Sequence, residues 1–357
     1  MLKKILKIAL IVLASVVGIV LIYVAYVFLS YSRLDDNLQL EIREGNAKAT
    51  AEAGEEYTII TNNVGFGAYT QDFTFFMDGG EESRAASEES VRKCIGEAMD
   101  EIDSHKPDFI LVQELDTDST RSYHTDQREI FETRFSDYAG MFANNYHSAY
   151  LMYPIFEPHG ASNSGLLTLS GFEMHDGIRR RLEISESFSK ILDLDRCYSK
   201  ARVKVSNGKD LVIYNTHMSA YGGSDEIRAS QMNLILGDMK EEYDKGNYCV
   251  CGGDFNNDFT GDSVPTLNGG MTSDMGWTQP FPTELIPEGI KRCTDYTCGE
   301  ILPTVRNCDV PYKKGNFTLI VDGFMVSENV EVTYLENIQK DFVYSDHNPV
   351  VMKFRLK

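Results

Sequence analysis

The sequence predicts an α/β domain standing behind one N-terminal transmembrane helix. Three observations carry this reading. From Tyr57 to the end, strand-like and helix-like segments alternate with no internal repeat. Apolar runs such as Phe109–Val112 lack polar alternation, as strands covered on both faces do. A run from Ile8 to Leu29 contains no charged residue. The 357 residues suffice for one large domain or two ordinary ones. At 42% hydrophobic and 25% charged, the composition is that of a folded globular chain rather than a disordered one.

Lys3, Lys4 and Lys7 precede the apolar run, which is as long as a helix needs to cross about 30 Å of hydrocarbon. Tyr23, Tyr26 and Tyr31 gather toward its far end, as aromatic residues do at a membrane interface. A secretory signal has a shorter apolar core and a small-residue cleavage site, and Ala14-Ser15 falls too early in the run. Residues 1–34 are therefore read as cytoplasmic lysines and an uncleaved anchor, with a cleaved signal as the alternative. By the positive-inside rule the N-terminus stays in the cytoplasm and the large domain lies outside. Residues 35–56 are polar, rich in Ala and Glu and without a period of two, which predicts a juxtamembrane spacer, helical in part at most. The domain proper is expected over 57–357.

Tyr57–Val64 is strand-like and delivers Asn63 at its end. The loop Ala68–Ser83 holds Phe73, Phe75 and Phe76. Glu88–His105 reads as a helix, because Val91, Ile95, Ala98, Met99 and Ile102 recur at steps of three and four. Pro107 stops it, and the apolar run from Phe109 ends abruptly in Gln113-Glu114. Strands follow near Leu166–Leu169, Ala201–Val205 and Leu211–Thr216, the last ending at His217. Asp225–Tyr243 is a helix opened by acidic residues, as the macrodipole favours. The strand from Tyr248 then drives through Gly252 and Gly253 to Asp254 and Asn256. Those two side chains, at i and i+2 of extended chain, share a face. Residues 262–316, rich in Gly, Pro, Thr and Cys and holding the only Trp, Trp277, predict a long loop or insertion. Phe317–Val326 is strand-like with Asp322 inside it, Glu331–Leu335 is a short strand, and Ser345-Asp346-His347 precedes the last strand, Val350–Leu356.

Five strand-like runs thus end in or beside residues that bind metals or move protons: Asn63, Glu114, His217, Asp254 with Asn256, and Asp346 with His347. Each alone has an ordinary reading as a cap or a turn residue. Strand ends at one edge of a sheet converge in space, however, so the five together predict one site. Oxygen donors from Asn63, Glu114 and Asp346 suit a hard cation, Mg2+ or Mn2+. Two histidines add proton transfer or positive charge. With no G-x-S-x-G elbow and no P-loop, metal-assisted hydrolysis of a phosphate ester is the reaction class expected. Of seven cysteines, Cys249 and Cys251 read as buried strand residues, and a disulfide is open to Cys293, Cys298 and Cys308. No paired CxxC supports zinc.

The ordered set Asn63-Val64, Gln113-Glu114, Thr216-His217, Gly253-Asp254-Phe255-Asn256, Val321-Asp322 and Ser345-Asp346-His347 resembles the endonuclease/exonuclease/phosphatase superfamily. This superfamily includes pancreatic deoxyribonuclease, inositol polyphosphate 5-phosphatases and neutral sphingomyelinases. The resemblance covers about 57–357 and suits a membrane-anchored bacterial-type member. It implies a four-layer α/β/β/α sandwich of two mixed sheets with the site at one end. It further implies Mg2+ held by Asn63 and Glu114 with help from Asp346, and Asp254 as the group that orients and deprotonates water. Asn256 would hold phosphate and nucleophile, His347 oriented by Asp322 would contact the phosphate, and His217 would stabilise the transition state or leaving oxygen.

The expected activity is metal-dependent hydrolysis of phosphate esters, with phospholipid headgroups or other extracytoplasmic phosphodiesters as substrates suited to a tethered domain. An extracytoplasmic nuclease is the first alternative, disfavoured by the net charge of −20, and a non-catalytic binding module on the same fold is the second. No protein partner is implied. Arg179–Arg181 is a candidate grip for an anionic headgroup, and Phe73–Met77 and Trp277–Phe281 are candidate lipid-facing or pocket-shaping segments.

Overall fold

The computed structural model describes residues 1–187, 190, 195–220, 224–271 and 279–357. Trp277 lies outside the described residues. Helix α1 (Leu2–Leu29) is long and apolar enough to cross a membrane, by length and composition.

Two seven-stranded mixed sheets face each other. The first runs, in spatial order, β17 (Val330–Asn337), β18 (Val350–Leu356), β3 (Glu56–Asn63), β4 (Phe109–Asp116), β6 (Asn163–Ser170), β5 (Ala139–His147) and β2 (Ile42–Arg43). The second runs β1 (Leu38–Gln39), β7 (Met174–Arg181), β8 (Cys197–Lys204), β9 (Asp210–His217), β10 (Tyr248–Asp254), β16 (Asp322–Ser327) and β13 (Ile290–Arg292). Two small ladders, β11 (Asn257–Asp258) with β12 (Gln279–Pro280) and β14 (Val305–Arg306) with β15 (Thr318–Leu319), flank them. Helices α2 (Glu88–Ser104) and α3 (Gln127–Arg134) cover the first sheet. α4 (Asp225–Asp244) covers the second, and the short α5 (Ser263–Leu267) lies beside β15.

Alternation along the strands explains the four layers. Phe109 and Leu111 of β4 join Val250, Phe324 and Ile213 between the sheets. Ile110 and Val112 turn the other way, onto Val91, Ile95 and Ile102 of α2. Cys249 and Cys251 of β10 pack outward onto Met232, Ile235 and Met239 of α4. Ser87 and Ser224 cap α2 and α4, accepting from the amides of Ser90 and Ile227, with acidic residues in each first turn.

Residues 35–56 differ from the expected spacer. They hold β1 and β2, which add short edges to both sheets, and Ala51 bridges to Val205. Two-residue strands are too short to show a period of two. Arg179–Arg181 is part of the same seam. Arg179 is buried and donates to the carbonyls of Asn144 and Asp195, while Arg180 pairs with Asp36 and Asp238. The cysteines are all free. Cys293 packs between the sheets and Cys308 in the layer under α2, so a sheet separates them, and Cys298 is exposed.

One buried polar contact joins the sheets just beneath the site. Asn215 accepts from Gln113 Nε2 (2.7 Å) and donates to the carbonyls of Leu167 (3.0 Å) and Val112 (3.3 Å). Val112 and Leu167 are the last pair before the β4–β6 register shifts. The amide thus satisfies carbonyls where the ladder opens. Asn215→Ala should cost about 2–4 kcal/mol by leaving these groups unpaired, measured as a lowered urea midpoint at unchanged m.

Candidate active site

Strand register assembles the site. β9 and β10 are parallel and place His217 opposite Asp254, and antiparallel β16 places Asp322 opposite Asp254 on its other side. In the first sheet, parallel β3 and β4 place Asn63 opposite Gln113, next to Glu114. Parallel strands end together, so each sheet carries a polar row at the same end of the sandwich. The turn before β18 is tied to β3. Ser345 Oγ donates to the Asn63 carbonyl (2.8 Å), and the His347 amide donates to Ser345 Oγ (3.1 Å).

Local backbone aims the side chains. Glu114 has φ +55° at the β4 bulge, and Asn256 has φ +49° just beyond β10. Both are left-handed conformations unusual for residues with a Cβ, of the kind found at functional sites. Gly253 has φ +142°, and a Cβ there would lie 2.1 Å from the Thr216 carbonyl oxygen.

Asn63 links the two rows. Its Nδ2 donates to Asp254 Oδ2 (3.1 Å) and Glu114 Oε1 (3.2 Å), while Oδ1 accepts from the Gly65 amide (3.0 Å). The amide nitrogen, not the oxygen expected for a ligand, is therefore the end facing the carboxylates. Asp254 Oδ1 accepts from the Asn256 amide (2.9 Å), and Asn256 Nδ2 donates to the Met218 carbonyl (2.8 Å). His347 Nδ1 lies 2.8 Å from Asp322 Oδ2, and its Nε2 is 3.9 Å from Asp254 Oδ2. His217 Nε2 is 3.5 Å from Asp254 Oδ2, 3.8 Å from Glu114 Oε1 and 2.7 Å from Arg196 Nη1. All eight expected site residues thus gather at one end, with Asp346, beside His347, lining the same cleft.

The two imidazoles are driven apart. Burial presses His347 toward the neutral form, but Asp322, Asp346 and Asp254 outweigh it and raise its pKa well above that of a free imidazole. His217 is pushed well below the usual value by burial, with Arg196, His347 and Arg121 adding to the effect. Burial also pushes the Asp254 and Asp346 carboxyls up to about 7, with His347 opposing.

The donor set fits a hard divalent cation. Glu114 and Asp346 open on the cleft, and the closest side-chain contacts of Asp346 are weak ones to Ser345 Oγ (3.4 Å) and Cys308 Sγ (3.9 Å). A buried carboxylate facing Glu114, only partly offset by His347 and Arg306, is what a bound ion would relieve. Asp254, Asp322 and His347 bring ligand-type atoms within 4.8 Å of one another. Asp322 is already bonded to His347 Nδ1 at 2.8 Å, so within that trio the two form a His–Asp dyad beside Asp254.

The cleft walls come from residues that strand ends do not announce. Arg121 forks onto Asp116 (2.9 and 3.1 Å) and stacks 3.8 Å over the Phe66 ring. Arg196, Arg306, His159, Tyr69 and Tyr146 complete the walls. Tyr146 lies near the end of β5 and Arg306 in the short β14, while Arg196, His159 and Tyr69 lie in loops, and their only sequence signal is charge or aromaticity. Phe75 and Met77 of the aromatic loop also line the cleft, while Phe73 and Phe75 are buried in the core under α2. Phe281 is buried against Phe255 and Phe259.

No protein-family model and no curated protein matches the sequence. Solved structures do match in shape. The endonuclease/exonuclease/phosphatase from Beutenbergia cavernae DSM 12333 superposes with a TM-score of 0.54 at 18% identity, covering 84% of this chain and 72% of that one. The endonuclease/exonuclease/phosphatase from Bacteroides vulgatus gives 0.54 at 18%, covering 85% and 100%. ANGEL2, a 2',3'-cyclic phosphatase in complex with adenosine-2',3'-vanadate, gives 0.53 at 14%, covering 89% and 99%. The fold of this chain is that of the endonuclease/exonuclease/phosphatase proteins.

Proposed function

We propose that the chain is a phosphoester hydrolase of the endonuclease/exonuclease/phosphatase superfamily, dependent on Mg2+ or Mn2+. In this reading α1 anchors it, and the two-sheet domain that follows acts outside the cytoplasm on phosphodiesters at the membrane. One observation carries the reading: an Asn63 amide shared by Asp254 and Glu114, beside His347 held at Nδ1 by Asp322. A non-catalytic module has no use for two imidazoles whose pKa values are pushed in opposite directions around one buried acid.

Asp254 aligns a water and takes its proton as the water oxygen bonds to phosphorus and the ester P–O bond breaks. Asn63 and the Asn256 amide fix that carboxylate. His347, cationic, faces the non-bridging oxygens where negative charge builds, and His217 with Arg196 does so from the other side. Asn256 lines the same wall and holds the phosphoryl group. Glu114 and Asp346, with Asn63 beside them, would hold the cation, which neutralises phosphoryl oxygens and lowers the barrier to attack.

The full chain in detergent should hydrolyse bis-p-nitrophenyl phosphate with Mg2+ or Mn2+ and lose that activity in EDTA. Glu114→Ala and His347→Ala should each fall roughly 10^2–10^4-fold. Activity equal to the parent in either variant would sink the assignment. Plasmid DNA should be a poor substrate. Arg121 is committed to Asp116, Arg306 donates to the Thr70 and Phe73 carbonyls, and the net charge is −20.

A further inference from the structure

The loop between β5 and β6 has no place in the catalytic scheme, yet it carries an unusual surface. From Ser148 to Phe156 it contains no charged residue. Among the described residues that follow α1, Tyr153, Ile155 and Phe156 are the most exposed large apolar side chains, and Met152 comes next. The tip is held out by structure rather than left loose. Leu151 and Gly160 exchange backbone hydrogen bonds (3.1 and 3.0 Å), Ser83 Oγ donates to the Glu157 carbonyl, and Arg84 Nε donates to that of Pro158 (2.6 Å). Fixing four apolar side chains in water is unfavourable unless something covers them.

α1 says what covers them. Tyr23 Oη donates to the Tyr150 carbonyl (3.2 Å), and the Met152 amide donates to Tyr23 Oη (2.9 Å). The Tyr150 amide donates to Tyr26 Oη (3.2 Å), and Val27 is buried. The charge-free run begins at Ile8. At 1.5 Å per residue, Tyr23 and Tyr26 stand roughly 22–27 Å along it, near the outer boundary of about 30 Å of hydrocarbon. The loop that grips them is therefore level with the outer interface. Its base also forms the cleft rim. His159 lines the cleft, and Tyr153 packs on Phe76 (5.7 Å between rings), next to the cleft residues Phe75 and Met77.

We propose that residues 150–156 insert into the outer leaflet beside α1, a second membrane contact that turns the cleft toward phosphoesters in the phospholipid headgroup layer. This rests on the hydrolase reading for its substrate and on α1 as anchor. The two contacts fix the domain's tilt, which one helix alone would leave free to swing.

The test uses the full chain with Cys298→Ser, which removes the exposed thiol, reconstituted in nanodiscs of phosphatidylethanolamine and phosphatidylglycerol. An environment-sensitive fluorophore on Phe156→Cys should be blue-shifted and quenched severalfold by doxyl-labelled phosphatidylcholine. The same probe on Lys209→Cys, just before β9 begins and a strand's length from the site, should not respond. Absence of quenching at 156 overturns the proposal. A blue shift without lipid quenching overturns it too, by pointing to a protein partner. The pair Ile155→Asp with Phe156→Asp should lower turnover of bilayer phospholipid at least tenfold and leave bis-p-nitrophenyl phosphate hydrolysis unchanged. Equal loss on both substrates, or on neither, counts against it. A parent that hydrolyses neither substrate sinks the hydrolase reading alone, because quenching is read without turnover.

Discussion

Asp254→Asn should lower kcat/KM on a soluble phosphodiester about 10^3-fold while leaving the thermal midpoint no lower than the parent's. The activity loss follows from placement. Asp254 lies between the two rows, within 3.1 Å of Asn63 Nδ2 and 3.5 Å of His217 Nε2, and a carboxamide cannot take the proton of the attacking water. The stability half has an independent cause. Burial raises this carboxyl to about 7, which means that its ionised form costs the folded state stability at neutral pH. The amide keeps the bond from the Asn256 N–H and removes that cost, set against an unfavourable approach of two N–H groups at Asn63. The pH dependence has a definite sign. A carboxyl whose folded pKa is raised contributes stability that is full below its unfolded value and lost as pH rises through about 7. In chelated protein Asp254 and Asp346 should add stability from pH 7.5 toward 4.5, while His217, whose pKa burial depresses, subtracts some. The stability of the parent relative to Asp254→Asn should therefore rise as pH falls. Calorimetry in EDTA across that range checks this. A variant of parental activity would remove Asp254 from the chemistry.

The site was legible in the sequence because strand ends are a local signal. A run such as Phe109–Val112 that breaks into Gln113-Glu114, or Leu211–Thr216 that breaks into His217, marks its terminus within a few residues. Topology then gathers those termini: Asp254 falls between His217 and Asp322 because β9, β10 and β16 are neighbours. The four layers were legible for a related reason, since an all-apolar strand must be covered twice. Other features depend on partners far away in sequence. Residues 35–56 become sheet edges only because β5 and β7 offer open backbone, and no period appears in two residues. Arg179–Arg181 reads as a basic patch until Asp195, Asp36 and Asp238 arrive from elsewhere. The end of Asn63 that faces Glu114 was illegible too, because the Gly65 amide decides it.

Gly253→Ala should abolish activity as fully as Asp254→Asn although it changes no reactive side chain, and unlike that variant it should lower stability by about 4 kcal/mol or more. A Cβ at Gly253 meets the Thr216 backbone, with the carbonyl oxygen at 2.1 Å and the nitrogen at 2.9 Å, and φ of +142° adds strain. Backbone of a central parallel ladder cannot step aside without parting β9 from β10 at the Gly253–Thr216 rung, next to the one that joins Asp254 to His217. Gly252 is the control. A Cβ there meets the Phe324 ring at 2.5 Å and Leu111 at 2.9 Å, which are side chains in the core between the sheets. Gly252→Ala should cost about 1–3 kcal/mol by overpacking, and the folded fraction should keep most of its activity. Circular dichroism melts alongside activity per folded molecule separate the two. Parental turnover in Gly253→Ala would mean that the rung between the strands is not what holds the acid in place. The expected contrast instead makes the glycine pair divide its labour: Gly252 lets the sheets close, and Gly253 lets the strands close at the reacting acid.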